Sequence, residues 1–140
     1  MSDRTETITL PASTTELIVS SSYDIEVRDN PRYLHVIARG DYRFEHSQQL
    51  ISLVRDESRR RRRHLVLVDL VGVPQPIPDH ERFELGSLVA QELRGVKLAV
   101  VDLTEAPDKL AELVEANRGA DMRIFTTEAD ALSWLLSSAI

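Results

Sequence analysis

The sequence predicts an α/β fold, with a mixed and mainly parallel sheet of about five strands and four helices packed over it. The run Leu65–Val68 is continuously apolar, as expected of a central strand covered on both faces, and Val96–Leu103 gives a second buried strand. Between them, Leu85, Val89 and Leu93 recur at the spacing of a helix with one apolar side. Strands that alternate with such helices need right-handed crossovers, which make the sheet largely parallel.

The other elements follow from the same kinds of pattern. Residues 24–28 alternate polar and apolar side chains, which is typical of a half-buried strand, and Asn30-Pro31 marks a turn into an antiparallel partner. In chain order the predicted elements are strands over 24–28 and 33–38, a helix over 44–60, a strand over 65–70, a helix that begins at Pro78 and ends before Gly95, a strand over 96–103, a helix over 107–117, a strand over 122–125 and a helix over 127–137.

The chain divides into a lead-in and one domain. Residues 1–22 are rich in Ser, Thr and Glu and carry only two short apolar patches, so we expect a flexible segment with room for one strand at the sheet edge. Residues 23–140 form the domain. A length of 140 residues with 42% hydrophobic side chains is enough to bury a single core.

Composition excludes several classes of function. A net charge of -6 and a pI near 5.2 argue against binding to nucleic acids or anionic membranes. The absence of cysteine removes disulfides and thiolate metal sites, and it fits a reducing compartment. The first residues lack the apolar run of a signal peptide, and no apolar stretch approaches the roughly 20 residues of a membrane span. These features predict a cytoplasmic protein with no membrane span.

Three segments carry a family resemblance through their order and spacing. Tyr33–Gly40 looks like a strand that ends in glycine before a first helix, His64–Val73 like a central strand that ends in Asp-Leu-x-x-Val, and Phe125–Leu132 like a closing strand-to-helix junction. Together they resemble the STAS domain, the sulfate-transporter and anti-sigma-factor-antagonist fold, over about residues 24–138. The likeness is nearest to the SpoIIAA-like proteins.

The resemblance implies a regulatory protein that binds other proteins and is not an enzyme. Anti-sigma factor antagonists of this family bind a partner kinase and are switched by phosphorylation of a serine at the start of the helix after the central strand, usually within Asp-Ser-Ser-Gly. The corresponding segment here is Ile77–Glu81, which has no hydroxyl group, and Asp79 and Glu81 supply fixed negative charge instead. The SpoIIAA-like group often lacks the serine motif too.

We therefore expect a non-enzymatic binding module without the phosphoacceptor serine. The predicted partner is another protein of unknown identity, and the sequence leaves open whether the chain forms a homodimer. No cofactor is predicted. Since the charge of Asp79 is only locally stabilising beside first-turn amides, we expect Asp79→Ser to cost the fold little. The predicted partner-binding residues are Gly72, Pro78, Asp79, His80, Glu81 and Arg82.

Asp69 and Asp102 leave an alternative open. Each stands at or near the C-terminal end of a central parallel strand, the edge at which α/β domains bind ligands. As a pair they would hold Mg²⁺ or, with Thr104 nearby, act as a receiver-like phosphoacceptor. The plainer interpretation, which we favour, is that each carboxylate caps its own loop by accepting hydrogen bonds from backbone amides.

A second alternative is a small lipid- or ligand-binding carrier, because SpoIIAA-like proteins resemble carrier folds of the Sec14 type. Phe83, Trp134 and the aliphatic positions at helical spacing would then line a groove, although the same spacing predicts ordinary core. A chain of this length looks short for enclosing a pocket of several hundred Å³.

Histidines and arginines give no further site. His35, His46, His64 and His80 are scattered without an i, i+4 pair, so neither a metal site nor a catalytic residue is predicted. The run Arg59–Arg63 is interpreted as cations that complement a helix C-terminus, in preference to a nucleic-acid patch.

Overall fold

The computed structural model describes residues 6–9, 15–19, 23–104 and 121–137, the first two ranges through their backbone alone. Within them the chain forms seven strands and three helices. In chain order these are β1 (Glu6–Thr9), β2 (Thr15–Val19), β3 (Tyr23–Asp29), β4 (Leu34–Gly40), α1 (Phe44–Arg61), β5 (Leu65–Gly72), α2 (Asp79–Glu92), β6 (Lys97–Val101), β7 (Asp121–Phe125) and α3 (Glu128–Leu135).

The strands form one mixed sheet in the order β1-β2-β3-β4-β5-β6-β7. Pairing is antiparallel from β1 to β4 and parallel from β4 to β7, with β5 and β6 inside the sheet as predicted. The predicted mixed α/β sheet, mainly parallel over its five strands β3–β7, is confirmed. Two more strands, β1 and β2, extend it within the lead-in. The predicted helix over 107–117 lies outside the described residues, so the structure shows three helices where four were expected.

Side chains alternate between two faces of the sheet, and each face has its own core. On the first face, α1 and α2 cover the strands through residues such as Leu50, Val54, Val89 and Leu93. On the second face, α3 packs on β5, β6 and β7. The core of the second face consists of Leu67, Ala99, Val101, Ala131 and Leu135. In the described part of the chain, no helix has the length and apolarity needed to cross a membrane.

Helix ends follow from local chemistry. Helix α2 begins at Asp79, so Pro78 is the residue before the helix and not its first residue as predicted. Gly95 has a φ of +79°, which suits the turn that it was expected to make after α2. Helix α3 begins after Thr127, whose side chain accepts a hydrogen bond from the amide of Asp130 at 3.2 Å. These ends place the starts of α2 and α3 beside the sheet edge where the parallel strands finish.

Candidate functional site

The C-terminal ends of the parallel strands form a surface that we call the loop face, made of residues 41–43, 71–83 and 102–104. Its parts are joined by side-chain hydrogen bonds. The hydroxyl of Tyr42 donates to Oε1 of Glu81 at 2.6 Å, and the amide of Tyr42 donates to Oε1 of Gln75 at 2.8 Å. Gln75 in turn donates to Oδ1 of Asp41 at 3.1 Å. The loop after β4 is thereby fastened to the loop after β5.

In the hydrogen bond between Tyr42 and Glu81, an uncharged phenol donates to a carboxylate. Burial raises the pKa of Tyr42 well above its ordinary value, and the hydrogen bond to Glu81 raises it further. The phenol therefore keeps its proton at neutral pH and holds Glu81 in place at the start of α2. Glu81 is 22% exposed, so its charge can still be sensed from outside.

The start of α2 presents charge to solvent at the position where the family resemblance locates the switch serine. The side chains of Asp79 and His80 are 71% and 78% exposed. The Nε2 atom of His80 lies 3.3 Å from Oε2 of Glu81. Pro78, the residue before the helix, supplies no side-chain cap, and its carbonyl oxygen accepts the amides of Glu81 and Arg82 at 3.0 and 3.1 Å.

Arg82 differs from its neighbours because its side chain is only 4% exposed. It donates to Oδ1 of Asp79 at 2.6 Å and to the carbonyl oxygen of Ile77 at 2.9 Å. Of the six predicted partner-binding residues, Arg82 is thus placed to hold the loop from inside. Its burial leaves little of this side chain for the direct partner contact that was predicted.

Exposed apolar side chains flank this charged helix start. Val71, Phe83 and Leu103 are 47%, 68% and 60% exposed. Val71 lies near the end of β5, Leu103 follows the adjacent strand β6, and Phe83 lies on α2. Gly72 is also exposed, and a Cβ atom there would lie 2.8 Å from Cγ of Arg39. The loop face therefore combines acidic groups, apolar groups and a strand end that leaves no room for a side chain.

Asp69 and Asp102 are not brought together. Oδ1 of Asp69 accepts the amide of Val71 at 2.9 Å, and Oδ1 of Asp102 accepts the amide and the hydroxyl of Thr104 at 2.9 and 2.7 Å. Asp69 points to the second face of the sheet, whereas Asp102 lines the cavity of the first face. The loop-capping interpretation agrees with this geometry, and an Asp69–Asp102 pair for Mg²⁺ or phosphate does not.

An apolar cavity of about 90 Å³ lies between α1, α2 and the sheet. It is far smaller than the roughly 300 Å³ of the smallest ordinary ligand pockets, so its size does not favour a lipid carrier. Its lining includes Leu50, Val54, Val68, Val89, Leu98 and Met122.

The second face carries a different group of polar side chains. A ring nitrogen of His35, an oxygen of Asp69 and an oxygen of Glu128 all lie within 4.8 Å of one another. His35 is only 8% exposed, and burial lowers the pKa of its imidazole even though the nearby charge of Glu128 acts in the opposite direction. Neither His35 nor Glu128 was expected to belong to a site, because residues from β4, β5 and α3 meet only once the strand register is known.

The arginine run is partly engaged within the fold. Arg61 contacts Glu57 at 2.8 Å and Asp29 at 3.3 Å, and Arg63 contacts Asp29 at 3.1 Å. The end of α1 is thereby tied to the turn after β3. Arg59, Arg60 and Arg61 lie in the last turn of α1, so the run stands at a helix C-terminus as expected.

Solved structures similar to this chain include an anti-sigma factor antagonist and a protein with a SpoIIAA-like fold. An anti-sigma factor antagonist from Mycobacterium paratuberculosis matches with a TM-score of 0.59 at 18% sequence identity, over 83% of this chain and 96% of that one. An uncharacterised protein with a SpoIIAA-like fold from Shewanella loihica PV-4 matches with a TM-score of 0.50 at 18% identity, over 91% and 99%. The protein TM1081 matches with a TM-score of 0.51 at 14% identity, over 80% and 88%. The fold expected from the family resemblance is confirmed. No protein-family model matches the sequence, and neither does any curated protein.

Proposed function

We propose that this chain is a regulatory protein-binding module that contacts its partner through the loop face without a phosphoserine switch. The observation that carries the proposal is the start of α2, where a permanently charged carboxylate, Asp79, is held in place by a buried arginine and flanked by the exposed Phe83. A rigid surface of mixed apolar and charged groups is typical of protein contacts, because the apolar groups supply affinity and the charges supply specificity.

The fold supports a regulatory role, since one of the similar structures is an anti-sigma factor antagonist. The separation of Asp69 from Asp102 removes the acidic pair on which the enzyme alternative depended, so we infer that the module is not an enzyme. The partner should carry cations around an apolar pocket, because the helix start that it meets is acidic. The lack of cysteine fits a reducing compartment, and we place this interaction in the cytoplasm.

A capture experiment with matched variants tests the proposal. The wild-type chain, Asp79→Ser and Asp130→Ser are immobilised and exposed to a lysate of the cells that produce the protein. Asp79 and Asp130 are both exposed acids in the first turn of a helix, so each variant removes one carboxylate from a first turn, but only Asp79 is among the residues that define the loop face. We expect a partner that is retained by the wild type and by Asp130→Ser and is depleted at least about tenfold with Asp79→Ser.

A second measurement tests whether the chain carries a phosphoserine switch. Intact-mass analysis of wild-type protein recovered from its cells should show no phosphate. Phosphate on Ser87, or on another residue of α2, would contradict a permanently active surface. An identical set of captured proteins for all three baits would contradict the loop face as the binding surface.

A further inference from the structure

The second face holds a cluster of three side chains that the proposed function does not use. We call His35, Asp69 and Glu128 the second-face cluster. His35 lies on β4, Asp69 lies near the end of β5, and Glu128 is the first residue of α3. The parallel register pairs Ile37 with Asp69, which puts His35 on the same face as Asp69 and two residues before its strand partner. Helix α3 packs on β5 on this face, and its first residue completes the cluster.

The spacing of the three groups is close to that of a metal site. Their nearest ligand atoms lie within 4.8 Å of one another, whereas ligands bound to one ion at about 2.0–2.2 Å are separated by roughly 3–4 Å. Glu128 is exposed, so rotation of its side chain can close the remaining distance.

His35 gives an independent reason to expect a ligand. It is only 8% exposed, and its Nε2 atom has no hydrogen-bond partner among the described residues. A buried polar nitrogen without a partner costs free energy, and binding an ion there would remove that cost. An imidazole nitrogen binds metals through its lone pair, so a bound ion would give this buried nitrogen a partner.

Asp69 is already oriented for such a role. Its Oδ1 atom accepts the amide of Val71, and a hydrogen bond of this kind from outside the coordination shell fixes the direction of a metal-binding carboxylate. The carboxylate retains a second oxygen for an ion.

We propose that His35, Asp69 and Glu128 bind one divalent ion of the first transition series, such as Zn²⁺ or Mn²⁺. An imidazole nitrogen with two carboxylates suits these ions better than Mg²⁺ or Ca²⁺, which prefer oxygen ligands throughout. Three protein ligands leave at least one coordination position for water. The proposal departs from the sequence-based prediction of no metal site.

One nearby cationic side chain would repel a bound metal ion, and this repulsion provides a further test of the site. Arg28 lies close enough to interact with the charges of Glu128 and Asp69. Its Nε atom is bound to Glu26 at 2.6 Å, and Glu26 also contacts Arg39 at 3.3 Å. Removing the charge of Arg28 should therefore tighten binding of a cation, while a change that merely disturbed the fold would weaken it.

Calorimetric titration of the tag-free, chelator-treated full chain with Zn²⁺ tests the proposal, with Mg²⁺ as the comparison ion. We expect one Zn²⁺ per chain and no comparable binding of Mg²⁺. Glu128→Gln should weaken Zn²⁺ binding at least about tenfold, and His35→Gln should do the same. Asp130→Asn, which removes the same charge from the same helix turn, should leave the affinity unchanged, and Arg28→Gln should raise it several-fold.

Equal Zn²⁺ affinity in the wild type and Glu128→Gln would overturn the proposal. Because Glu128 is exposed, Glu128→Gln should fold and give a usable affinity even if His35→Gln does not fold. Loss of binding in His80→Gln with retention in Glu128→Gln would also overturn it, since the ion would then lie on the loop face. Co²⁺ added in place of Zn²⁺ should give visible absorption bands that disappear in Glu128→Gln, and bands that persist there would count against the site.

Discussion

Asp79 and Arg82 form an ion pair in the first turn of α2, with Oδ1 of Asp79 2.6 Å from Nη1 of Arg82. The carboxylate is 71% exposed, whereas the guanidinium is 4% exposed. The charge that the loop face presents is therefore anchored by a buried partner. This arrangement changes the expectation for Asp79→Ser, because removing the carboxylate also leaves a buried cation with one fewer partner.

We expect Asp79→Ser to lower the free energy of unfolding by about 1 kcal/mol, a value reduced by the exposure of the carboxylate. Arg82→Ala should lower it by about 2–4 kcal/mol, since packing and the bond to the carbonyl of Ile77 are lost as well. Arg94→Ala is the control, because Arg94 is exposed, and it should change stability by less than about 0.5 kcal/mol. Urea unfolding measures all three, and equal effects of Arg82→Ala and Arg94→Ala would contradict the buried anchor.

Gly72 should not tolerate a side chain. An added Cβ atom would lie 2.8 Å from Cγ of Arg39 and 3.2 Å from the carbonyl oxygen of Ala38, so Gly72→Ala should destabilise the fold by about 1–2 kcal/mol. In an Arg39→Ala background the nearer clash is gone, and the cost should fall to less than half. Thermal or urea unfolding of the two pairs gives the comparison. The same cost in both backgrounds would show that Cγ of Arg39 is not the obstacle.

Arg62 has a backbone conformation that favours glycine. It has a φ of +55° after α1, and the amide of Arg63 reaches the carbonyl of Ser58 at 2.9 Å, as in a helix end that favours glycine. Arg62→Gly should raise the free energy of unfolding by about 0.5–1 kcal/mol. Arg62→Ala removes the same charge but keeps the Cβ atom, so it should give no comparable gain. A gain of equal size in both variants would point to charge and not to backbone strain.

Glu57 should contribute to stability in a pH-dependent way. Burial alone would raise its pKa, but hydrogen bonds from Arg60 and Arg61 outweigh burial and hold the pKa below the ordinary 4.5. A carboxylate with a lowered pKa stabilises the fold above its ordinary pKa, and this contribution is lost as the pH falls through the lowered value. The stability difference between wild type and Glu57→Gln should thus be greatest near neutral pH and shrink below about pH 4.5. A difference that stays constant across that range would contradict this assignment.

The sheet was predictable because most of its strands have a recognisable local sequence pattern. The apolar run Leu65–Val68 and the alternation over 24–28 lie within β5 and β3, and a glycine or proline marks several ends. The extent of the edge was harder to predict, since β1 and β2 lie in a segment rich in Ser and Thr whose apolar patches are short. Pairing of β2 with β3 and of β1 with β2 decides such strands, and pairing cannot be read from one segment alone.

The sites were predictable only where sequence neighbours are also spatial neighbours. Asp79, His80 and Glu81 share one helix turn, so their closeness follows from the sequence. The burial of Arg82 does not, because it depends on how α2 packs. The meeting of His35 with Glu128 depends on the register between β4 and β5 and on the face that α3 covers.

Hydrogen exchange of the captured complex tests the central claim most directly. The amides of residues 71–83 should exchange more slowly when the partner is bound, because the loop face is then covered, while those of β7 and α3 should be unaffected. The Asp79→Ser chain, mixed with the same partner at the same concentrations, should show little of this protection. Protection confined to residues 121–137, or to the second face around His35, would contradict the loop face as the binding surface.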